Sequence, residues 1–375
     1  MQSGSMLLMA IDRRLFTAGS MALLANCATG TSLRATDRNV IVATTRNADS
    51  SHSAVIYDID KGPLRVTPLP MRGHDITINP ATGTCVAFAR RPGNFAVAFS
   101  LSVKRAPITF HAPTDRHFYG HGVFARDGRL LYTTENDFEQ GKGAVGVWDA
   151  MSGFQRVGEL PAHGIGPHDV NLLSDGRTLV IANGGIQTHP DYGRRPLNLA
   201  TMAPSLVYVD RTTGDLLDRQ VLPRNMAKVS IRHLDVGIRD TVIFGCQFKG
   251  ARARLVDLVG LHQRGKRIRY LPKSPELHRA LRHYVSSIAV DRSGKFCAVT
   301  SSRGQHCVVI DIERQSVVAM HPLTDVSGIA PTSRNGQFVT ASGTGHLALA
   351  EPRQISPASP VAPWSWDNHM VRYDL

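Results

Sequence analysis

The stretch GPHDVNLLSDGRTLVIANGG, Gly166–Gly185, contains a histidine, an alternating strand, a turn with an acidic residue and glycine, and a second strand. An earlier stretch, YGHGVFARDGRLLYTTEND at Tyr119–Asp137, has the same features in the same order. His74, His121 and His168 begin three such phrases and lie 47 residues apart each time. Repeats of about 40–50 residues with four strands each are typical of β-propellers. The spacing therefore predicts an all-β fold in which histidines recur at equivalent positions.

Six phrases of this kind contain a first strand, whereas a seventh, from Asn39, begins at its second strand. Its missing strand must come from elsewhere, because an open ring would leave unpaired strand edges. The C-terminal stretch WDNHMVRYDL supplies a candidate strand from His369. We therefore predict a seven-bladed β-propeller closed by N- and C-terminal strands. This single domain covers residues 36–375 and carries an insertion at residues 184–204 between two strands.

Residues 1–35 have the features of an export signal and leader. Arg13 and Arg14 precede an apolar run that is too short to span a bilayer. The pair resembles a twin-arginine signal, although Asp12 stands where Ser or Thr is usual; the alternative is an ordinary signal with two arginines by chance. Cys27 follows a lipoprotein-like LLAN, but the asparagine replaces a small residue, so a lipid anchor is not favoured. We expect a periplasmic protein with no transmembrane segment in the mature chain.

The composition indicates a basic surface. The 43 Lys and Arg residues exceed the 30 Asp and Glu residues, for a formal net charge of +13. Such an excess favours anionic partners or membrane head groups. No recognition helix, zinc finger or RNA-binding motif is recognisable, so nucleic acid is not expected as a partner.

The cysteines beyond the leader lie in apolar strands, where small buried hydrophobic residues are expected. Cys297 and Cys307 occur on successive strands that place them nearly opposite each other. In an oxidising compartment such a pair can form a disulfide. The sequence is compatible both with a disulfide between Cys297 and Cys307 and with two free thiols.

Propeller geometry brings the repeated histidines to one face. The first strand of a blade runs away from one face and the second runs back, so the start of the first strand and the loop after the second share that face. The histidines at first-strand starts are His74, His121, His168, His233 and His369. The residues expected around the same mouth are Arg90, Arg91, Glu135, Asn136, Asn183, His189, Asp191, Arg194, Arg195, Gln247, Lys249 and Arg303. We predict a ligand-binding site there.

Imidazoles around a channel can bind a transition metal, bind an anion when protonated, or shuttle protons. No cofactor follows with certainty from the sequence; the candidate metal ligands are His121, His168 and His233, and iron is a candidate transition metal. Calcium is the other candidate, because Glu135 and Asn136 offer oxygen atoms as in propeller lactonases. The structural alternative is that each histidine bonds a backbone carbonyl of the next blade and locks the blades together.

The stretch GIGPHDVNLLSDGRTLVIANGGIQTHPDYGRRPLNLATMAPSLVYVD and the terminal WDNH resemble an exported bacterial family known as domain of unknown function 1513. The resemblance covers nearly the whole chain after the leader. It implies a seven-bladed YVTN/WD40-like propeller and carries no established activity. The genes of family members often lie beside genes for imelysin-like proteins and for a di-haem, cytochrome-peroxidase-like protein. The resemblance thus implies a periplasmic role in iron acquisition, with such proteins as partners.

Two classes of function remain. The first is a non-catalytic propeller that binds a ligand or protein partner at one mouth of its channel. The alternative is a metal-dependent propeller enzyme, either a lactonase-type hydrolase or an oxidoreductase. The chain has no nucleophile elbow and no CxxCH haem attachment, which favours binding.

Overall fold

The structure is a computed structural model that describes residues 40–102, 105–271 and 273–373. The predictions for the export signal, the leader and Cys27 lie outside these ranges. The described chain forms seven antiparallel sheets of four strands each, which are the blades of a propeller. The first strands of successive blades contact one another around the ring. The predicted fold class is therefore confirmed.

The strands are numbered in chain order. Blade 1 contains β1 (Val40–Arg46), β2 (His52–Asp58), β3 (Gly62–Leu69) and β28 (Ser365–Tyr373). Blade 2 contains β4 (Gly73–Ile78), β5 (Thr84–Ala89), β6 (Phe95–Ser100) and β7 (Ile108–His111). Blade 3 contains β8 (Arg116–Phe124), β9 (Leu130–Asp137), β10 (Lys142–Asp149) and β11 (Gln155–Pro161).

The remaining blades follow the same order. Blade 4 contains β12 (Pro167–Leu172), β13 (Thr178–Asn183), β14 (Ser205–Asp210) and β15 (Leu216–Val221). Blade 5 contains β16 (Val229–Val236), β17 (Val242–Phe248), β18 (Val259–His262) and β19 (Arg269–Tyr270). Blade 6 contains β20 (Ser287–Val290), β21 (Phe296–Ser301), β22 (His306–Asp311) and β23 (Ser316–Pro322). Blade 7 contains β24 (Val326–Pro331), β25 (Phe338–Ser342), β26 (Leu347–Ala350) and β27 (Ile355–Pro357).

The ring closes through the two ends of the described chain. The C-terminal strand β28 pairs antiparallel with β1, with Val40 opposite Tyr373 and Val42 opposite Val371. The C-terminal strand thus supplies the innermost strand of blade 1, as the sequence predicted. Closure gives β1 a partner on its inner side, so that blade 1 has four strands like the other six blades.

The inner strands and the outermost strands differ in burial. In β13 every residue of TLVIAN is buried, because both faces of the sheet pack against neighbouring blades. In β23 the residues of SVVAMHP alternate between exposed and half-buried. Side chains of a strand point alternately to opposite faces, so the alternation marks a strand whose one face meets solvent. The core consequently lies between blades rather than within one central cluster.

The connections contain little helix. The short helix α1 (Pro275–Leu281) lies between β19 and β20, and the hydroxyl of Ser274 accepts a hydrogen bond from the Leu277 amide as an N-cap. The segment between β13 and β14 spans residues 184–204 and includes a 3₁₀ turn at Pro190–Tyr192. Within the described residues, no helix combines the length and apolarity needed to cross a bilayer.

The predicted placement of the two neighbouring cysteines is wrong. Cys297 lies opposite Ile310, whereas Cys307 lies opposite Thr300, so the two thiols are out of register. Both cysteines are free and buried. Burial raises the pKa of the Cys307 thiol to about 12. A buried thiol that stays protonated is a poor nucleophile and metal ligand.

Candidate functional site

The five repeated histidines meet at the centre of the ring. The His121 ring centroid lies 4.9 Å from that of His74, 5.0 Å from that of His168, 5.5 Å from that of His233 and 4.8 Å from that of His369. The other four rings also contact one another in sequence around the centre, at 4.6–5.7 Å. We call these five residues the histidine cluster. The sequence predicted histidines around a mouth; the structure packs them into direct ring contact.

Irregularities in the first strands place these side chains. The pairing of β12 with β13 shifts between Pro167 and Asp169, so that His168 has no partner in the register. Similar shifts occur in β4, β8, β16 and β28 next to their histidines. A β-bulge bends a strand and re-aims a side chain, which explains how short strands deliver rings to a common centre.

A close approach of backbone to ring fixes one member of the cluster. Gly120 has a φ of +103°, and a Cβ at this position would lie 2.5 Å from Cδ2 of His74. Only glycine accommodates both the backbone angle and the contact. The neighbouring His121 is thereby delivered to the cluster with its ring beside that of His74.

Burial keeps most of the cluster uncharged. All five histidines are buried, at 2–7% exposure. Burial lowers the pKa of His74, His168, His233 and His369 well below the ordinary value, and nearby cationic side chains lower it further. These four imidazoles are therefore neutral at pH 7 and keep a lone pair available.

His121 differs from the other four because carboxylates face it. Its Nδ1 lies 2.9 Å from Oδ2 of Asp75 and 3.4 Å from Oδ1 of Asp169. Burial alone would lower the pKa of His121, but the two carboxylates outweigh burial and raise it. Burial raises the pKa of Asp169 to about 6, although His121 opposes that shift.

A cavity of about 330 Å³, lined by basic side chains, lies on the side of the cluster where the first strands begin. We call it the cationic cavity. His74, His168 and His233 form part of its wall. Its basic lining residues are Arg90, Arg91, Arg194, Arg232, Lys249 and Arg303. Among the described residues, none that lines it is acidic.

Three of these cations have donors without a partner. Arg232 is only 3% exposed, and its Nε has no hydrogen-bond partner. Nη1 of Arg91 is likewise buried and unpaired, while the guanidinium lies 5.7 Å from the Tyr119 ring centroid. Nη1 of Arg90 makes no hydrogen bond and lies 3.6 Å from the Asp367 carboxylate. Unsatisfied buried donors of this kind are rare, and they point to a missing acceptor.

Burial and mutual repulsion lower the pKa values of two basic groups in this cavity. Burial, and then the charge of Arg91, lower the pKa of Arg232 to about 9. Burial, and then the charges of Arg232 and Arg303, lower the pKa of Lys249 to about 7. The Nζ of Lys249 donates a hydrogen bond to Oε1 of Gln247 at 3.1 Å. An anion in the cavity would raise the pKa values of both Arg232 and Lys249.

A second cavity, of about 350 Å³, lies farther along the first strands and contains carboxylates. We call it the acidic cavity. Its charged lining residues are Asp75, Asp169 and Asp235 together with Arg292 and Arg372, and His121, His233 and His369 also line it. Asp169 accepts a hydrogen bond from the Leu234 amide at 3.0 Å, and Asp235 accepts one from the Val290 amide at 2.7 Å. These carboxylates bridge neighbouring blades, which is the locking role that the sequence analysis offered for the histidines.

The structure brings part of the predicted site together. From the loops expected at the mouth, Arg90, Arg91, Arg194, Gln247, Lys249 and Arg303 all line the cationic cavity. The exposed turn of the insertion carries His189, Asp191 and Arg195, none of which belongs to that lining. His189 lies 3.5 Å from Asp191 and 3.8 Å from Glu139, near the surface.

Three other predicted residues are engaged elsewhere. Glu135 is fully buried, and Nη1 of Arg156 lies 2.8 Å from its carboxylate. Nδ2 of Asn136 donates to the Thr188 carbonyl at 2.9 Å, and Nδ2 of Asn183 donates to the Ala162 carbonyl at 2.9 Å. None of the three lines the cationic cavity, because Glu135 pairs within its own blade and the two asparagines donate to backbone carbonyls of neighbouring segments.

The sequence analysis missed Arg232, Tyr284 and Asn368, which also line the cationic cavity. Arg232 and Asn368 directly precede histidines of the cluster, and Tyr284 lies just before the first strand of blade 6. Arg232 and Asn368 lie at the pairing irregularities of β16 and β28, and Tyr284 lies in the segment before β20. In the sequence, Arg232 and Asn368 could have been found from their position directly before a repeated histidine.

Comparisons with known proteins identify the fold and the family. Hydrazine synthase of Kuenenia stuttgartiensis is similar in structure, with a TM-score of 0.62 and 13% identity over 90% of this chain and 100% of that chain. At that identity the similarity concerns the fold alone. No curated protein matches the sequence. The family model described as "Protein of unknown function (DUF1513)" matches residues 67–373, and the chain belongs to this family.

Proposed function

We propose that this chain is a binding protein whose cationic cavity holds a small, multiply charged oxyanion, such as a polycarboxylate or phosphate. The observation that carries the proposal is the convergence of six basic side chains on one cavity with no acidic residue in its described lining. At about 330 Å³ the cavity is near the lower end of ligand pockets, which span roughly 300–1,000 Å³. A small ligand therefore fits better than a protein segment.

The unpaired donors explain why an anion is the expected ligand. Burying a charge without a partner is costly, and Arg91 and Arg232 both carry buried, unsatisfied donors. Arginine forms bidentate hydrogen bonds with carboxylate and phosphate groups. An oxyanion between these two side chains would satisfy their donors and offset the repulsion among the cations.

We further propose that binding takes place in the periplasm, as part of iron acquisition, after export by the twin-arginine route. The support for this setting is the family resemblance, with imelysin-like and di-haem peroxidase-like proteins as partners. The cavity chemistry is compatible with it, because polycarboxylates that bind arginine also supply the oxygen ligands that ferric iron takes.

The enzyme alternative has less support from the site. A calcium-dependent hydrolase of lactonase type would need free oxygen ligands at the mouth. The carboxylate of Glu135 is already paired with Arg156 and with the Thr133 hydroxyl, at 2.8 and 2.7 Å. These contacts favour a binding function over hydrolysis.

Isothermal titration of the full chain with sulfate and with citrate tests the proposal. We expect one binding site per chain, with citrate binding more tightly than sulfate and chloride binding weakest. Raising the salt concentration should weaken binding, because exposed charges at the rim are screened. Failure of both sulfate and citrate to bind at low salt would overturn the proposal.

The insertion provides a matched pair of variants. Arg194 lines the cavity, whereas its neighbour Arg195 does not, and both are exposed. We expect Arg194→Glu to weaken citrate binding by at least about 10-fold and Arg195→Glu to weaken it by less than about 3-fold, because a close charge acts more strongly than a distant one. Equal losses in the two variants would indicate only a general surface effect and would contradict a cavity site.

The iron-acquisition setting has its own test. A strain without this gene should grow more slowly when a chelator limits iron, and normally when iron is replete. Complementation with the wild-type gene should restore growth, whereas the Arg194→Glu gene should restore it only in part. Unchanged growth of the deletion strain under iron limitation would overturn the setting while leaving anion binding intact.

A further inference from the structure

Each ring of the histidine cluster has at least one buried nitrogen without a hydrogen-bond partner. The buried nitrogens without a hydrogen-bond partner are Nδ1 of His74, His168 and His233 and Nε2 of His121 and His369. A buried polar atom without a hydrogen-bond partner destabilises the folded state. Five such atoms at one place are an unusual concentration, and each of them is a potential metal ligand.

His262 shows what a purely structural buried histidine looks like in this fold. It is 2% exposed, similar to the cluster histidines. Its Nδ1 lies 2.6 Å from the Tyr208 hydroxyl, and its Nε2 lies 2.7 Å from the Lys266 carbonyl. Both nitrogens are thus satisfied by the protein itself. In the histidine cluster, by contrast, at least one buried nitrogen of every ring has no such partner.

The distances within the cluster suit a single ion. One nitrogen each from His121, His168 and His233 lie within 4.8 Å of one another, and the same holds for His74, His121 and His369. Nitrogens that bind one ion tetrahedrally at about 2.0–2.1 Å are about 3.4 Å apart. Small ring movements therefore suffice to bring either triad onto one ion, and His121 belongs to both.

Partners on the far side of two rings orient their free nitrogens. Nδ1 of His121 is bonded to Asp75 at 2.9 Å, which leaves Nε2 toward the cluster. Nδ1 of His369 is bonded to the Ser287 hydroxyl at 3.0 Å, which also leaves Nε2 unpaired. A carboxylate or hydroxyl behind a ligating histidine is typical of metal sites, because it fixes the ring and the tautomer.

Charged groups of both signs lie near this position, including the guanidinium groups of Arg90 and Arg232. The carboxylates of Asp75, Asp169 and Asp235 line the acidic cavity on one side of the cluster. They lie behind the imidazoles, so that they offset the charge of an ion without replacing its nitrogen ligands. The all-imidazole donor set suits Fe, Co, Ni, Cu and Zn rather than Ca or Mg, which take oxygen ligands.

We propose that the histidine cluster is a binding site for one divalent first-row transition metal ion, with His121, His168 and His233 as its ligands. His168 and His233 also form part of the wall of the cationic cavity. The ion would lie between the two cavities, and an oxyanion in the cationic cavity would lie next to it. The metal site does not depend on anion binding, so either proposal can fail alone.

Cobalt titration of the full chain, first freed of metal by a chelator, tests the site. We expect visible d–d absorption that saturates at one Co²⁺ per chain, without the charge-transfer bands of thiolate ligands. Zn²⁺ should displace the cobalt, whereas Ca²⁺ and Mg²⁺ should not. Absence of saturable d–d absorption, or full displacement by Ca²⁺, would overturn the proposal.

Three variants locate the ion. The His121→Gln variant should abolish the saturable absorption, and the His168→Gln and His233→Gln double variant should do the same. His262→Gln is the control, because it removes an equally buried histidine outside the cluster, and it should leave the stoichiometry unchanged. Cobalt binding that persists in His121→Gln would overturn the assignment.

A positioning variant guards against loss of folding as an explanation. Asp75→Asn keeps all five imidazoles but weakens the hydrogen bond behind His121. We expect Co²⁺ affinity to fall by about 10–100-fold with an unchanged stoichiometry. Circular dichroism of each metal-free variant shows whether the propeller is intact. If Asp75→Asn binds cobalt as the wild type does, His121 is not held as a ligand in the way proposed.

Discussion

The two cavities of the channel differ in charge and in how their charged groups are satisfied. In the acidic cavity, Asp169 and Asp235 accept amide hydrogen bonds from the next blade. In the cationic cavity, Arg91 and Arg232 retain buried donors without partners. The carboxylates are thus satisfied by the protein itself, whereas the basic groups are not, and this difference supports the proposed anion site.

The difference follows from which part of a blade supplies each side chain. The carboxylates belong to the first strands themselves, where a side chain must fit the contact with the adjacent blade. Most of the basic residues, such as Arg194 and Lys249, come from segments that follow second strands. Such segments tolerate change and carry function more often than strands do. We therefore expect substitutions in the two cavities to have opposite consequences.

The largest effect on binding should come from Arg232→Met. This change removes a buried cation with an unpaired Nε while keeping an unbranched apolar stem. We expect citrate affinity to fall by about 10–100-fold, because a charge-assisted hydrogen bond contributes roughly 1.5–3 kcal/mol. The free energy of unfolding should rise at the same time, because an uncompensated buried charge is lost. Titration calorimetry and chemical denaturation measure the two changes.

If Arg232→Met instead lowered the stability and left citrate binding unchanged, Arg232 would be a structural residue. The proposed distinction between structural carboxylates and ligand-binding basic residues would then not hold for Arg232. The Arg314→Gln variant is a control, because Arg314 is a surface residue paired with Asp311. It should change neither quantity measurably.

An intermediate effect is expected from pH, through Lys249. Burial and the charges of Arg232 and Arg303 lower the pKa of Lys249 to about 7. As pH rises through that value, Lys249 loses its proton and the cavity loses a positive charge, so anion affinity should fall. Between pH 6 and pH 8.5 we expect a loss of up to about 10-fold in sulfate affinity, equivalent to about 1.4 kcal/mol.

Sulfate is the appropriate probe because its charge is constant over this range, and the buried histidines that line the cavity stay neutral. Binding above pH 7 should also take up a proton, which calorimetry in buffers of different ionisation enthalpy detects. Lys249→Gln should remove both the pH dependence and the proton uptake. A pH dependence that persists in Lys249→Gln would assign the titration to another group.

The smallest effect on binding should come from the acidic cavity. Asp235→Ala leaves the Val290 amide without its acceptor between two blades. We expect a loss of about 1–3 kcal/mol in the free energy of unfolding and less than a 2-fold change in citrate affinity. Denaturation and calorimetry on the same sample provide the measurement. A large loss of citrate affinity in a folded Asp235→Ala protein would show that the two cavities act together.

The sequence predicted the fold well because the 47-residue spacing of His74, His121 and His168 and the period-2 strands are both properties of local sequence. It also predicted ring closure, since an incomplete first blade and a terminal strand leave only one economical pairing. The parity of up and down strands was enough to assign Arg90, Arg91 and Lys249 to the same face.

Other features depended on contacts that no spacing reveals. Glu135 lies within the second strand β9 rather than in the loop after it, and its buried carboxylate pairs with Arg156 of β11. The depth of the histidine cluster arises from bulges in the first strands, which the alternation of residues does not show. The out-of-register cysteines likewise depend on the turn between β21 and β22.

The central claim is that the cationic cavity is an anion-binding site, and a crystal soaked in selenate tests it most directly. Anomalous scattering from selenium locates the anion without any assumption about the ligand. The account predicts a selenium peak inside the cationic cavity, within hydrogen-bonding distance of Arg91 and Arg232, and its loss in crystals of Arg232→Met. Selenium peaks confined to the outer surface, with none in the cavity, would contradict it.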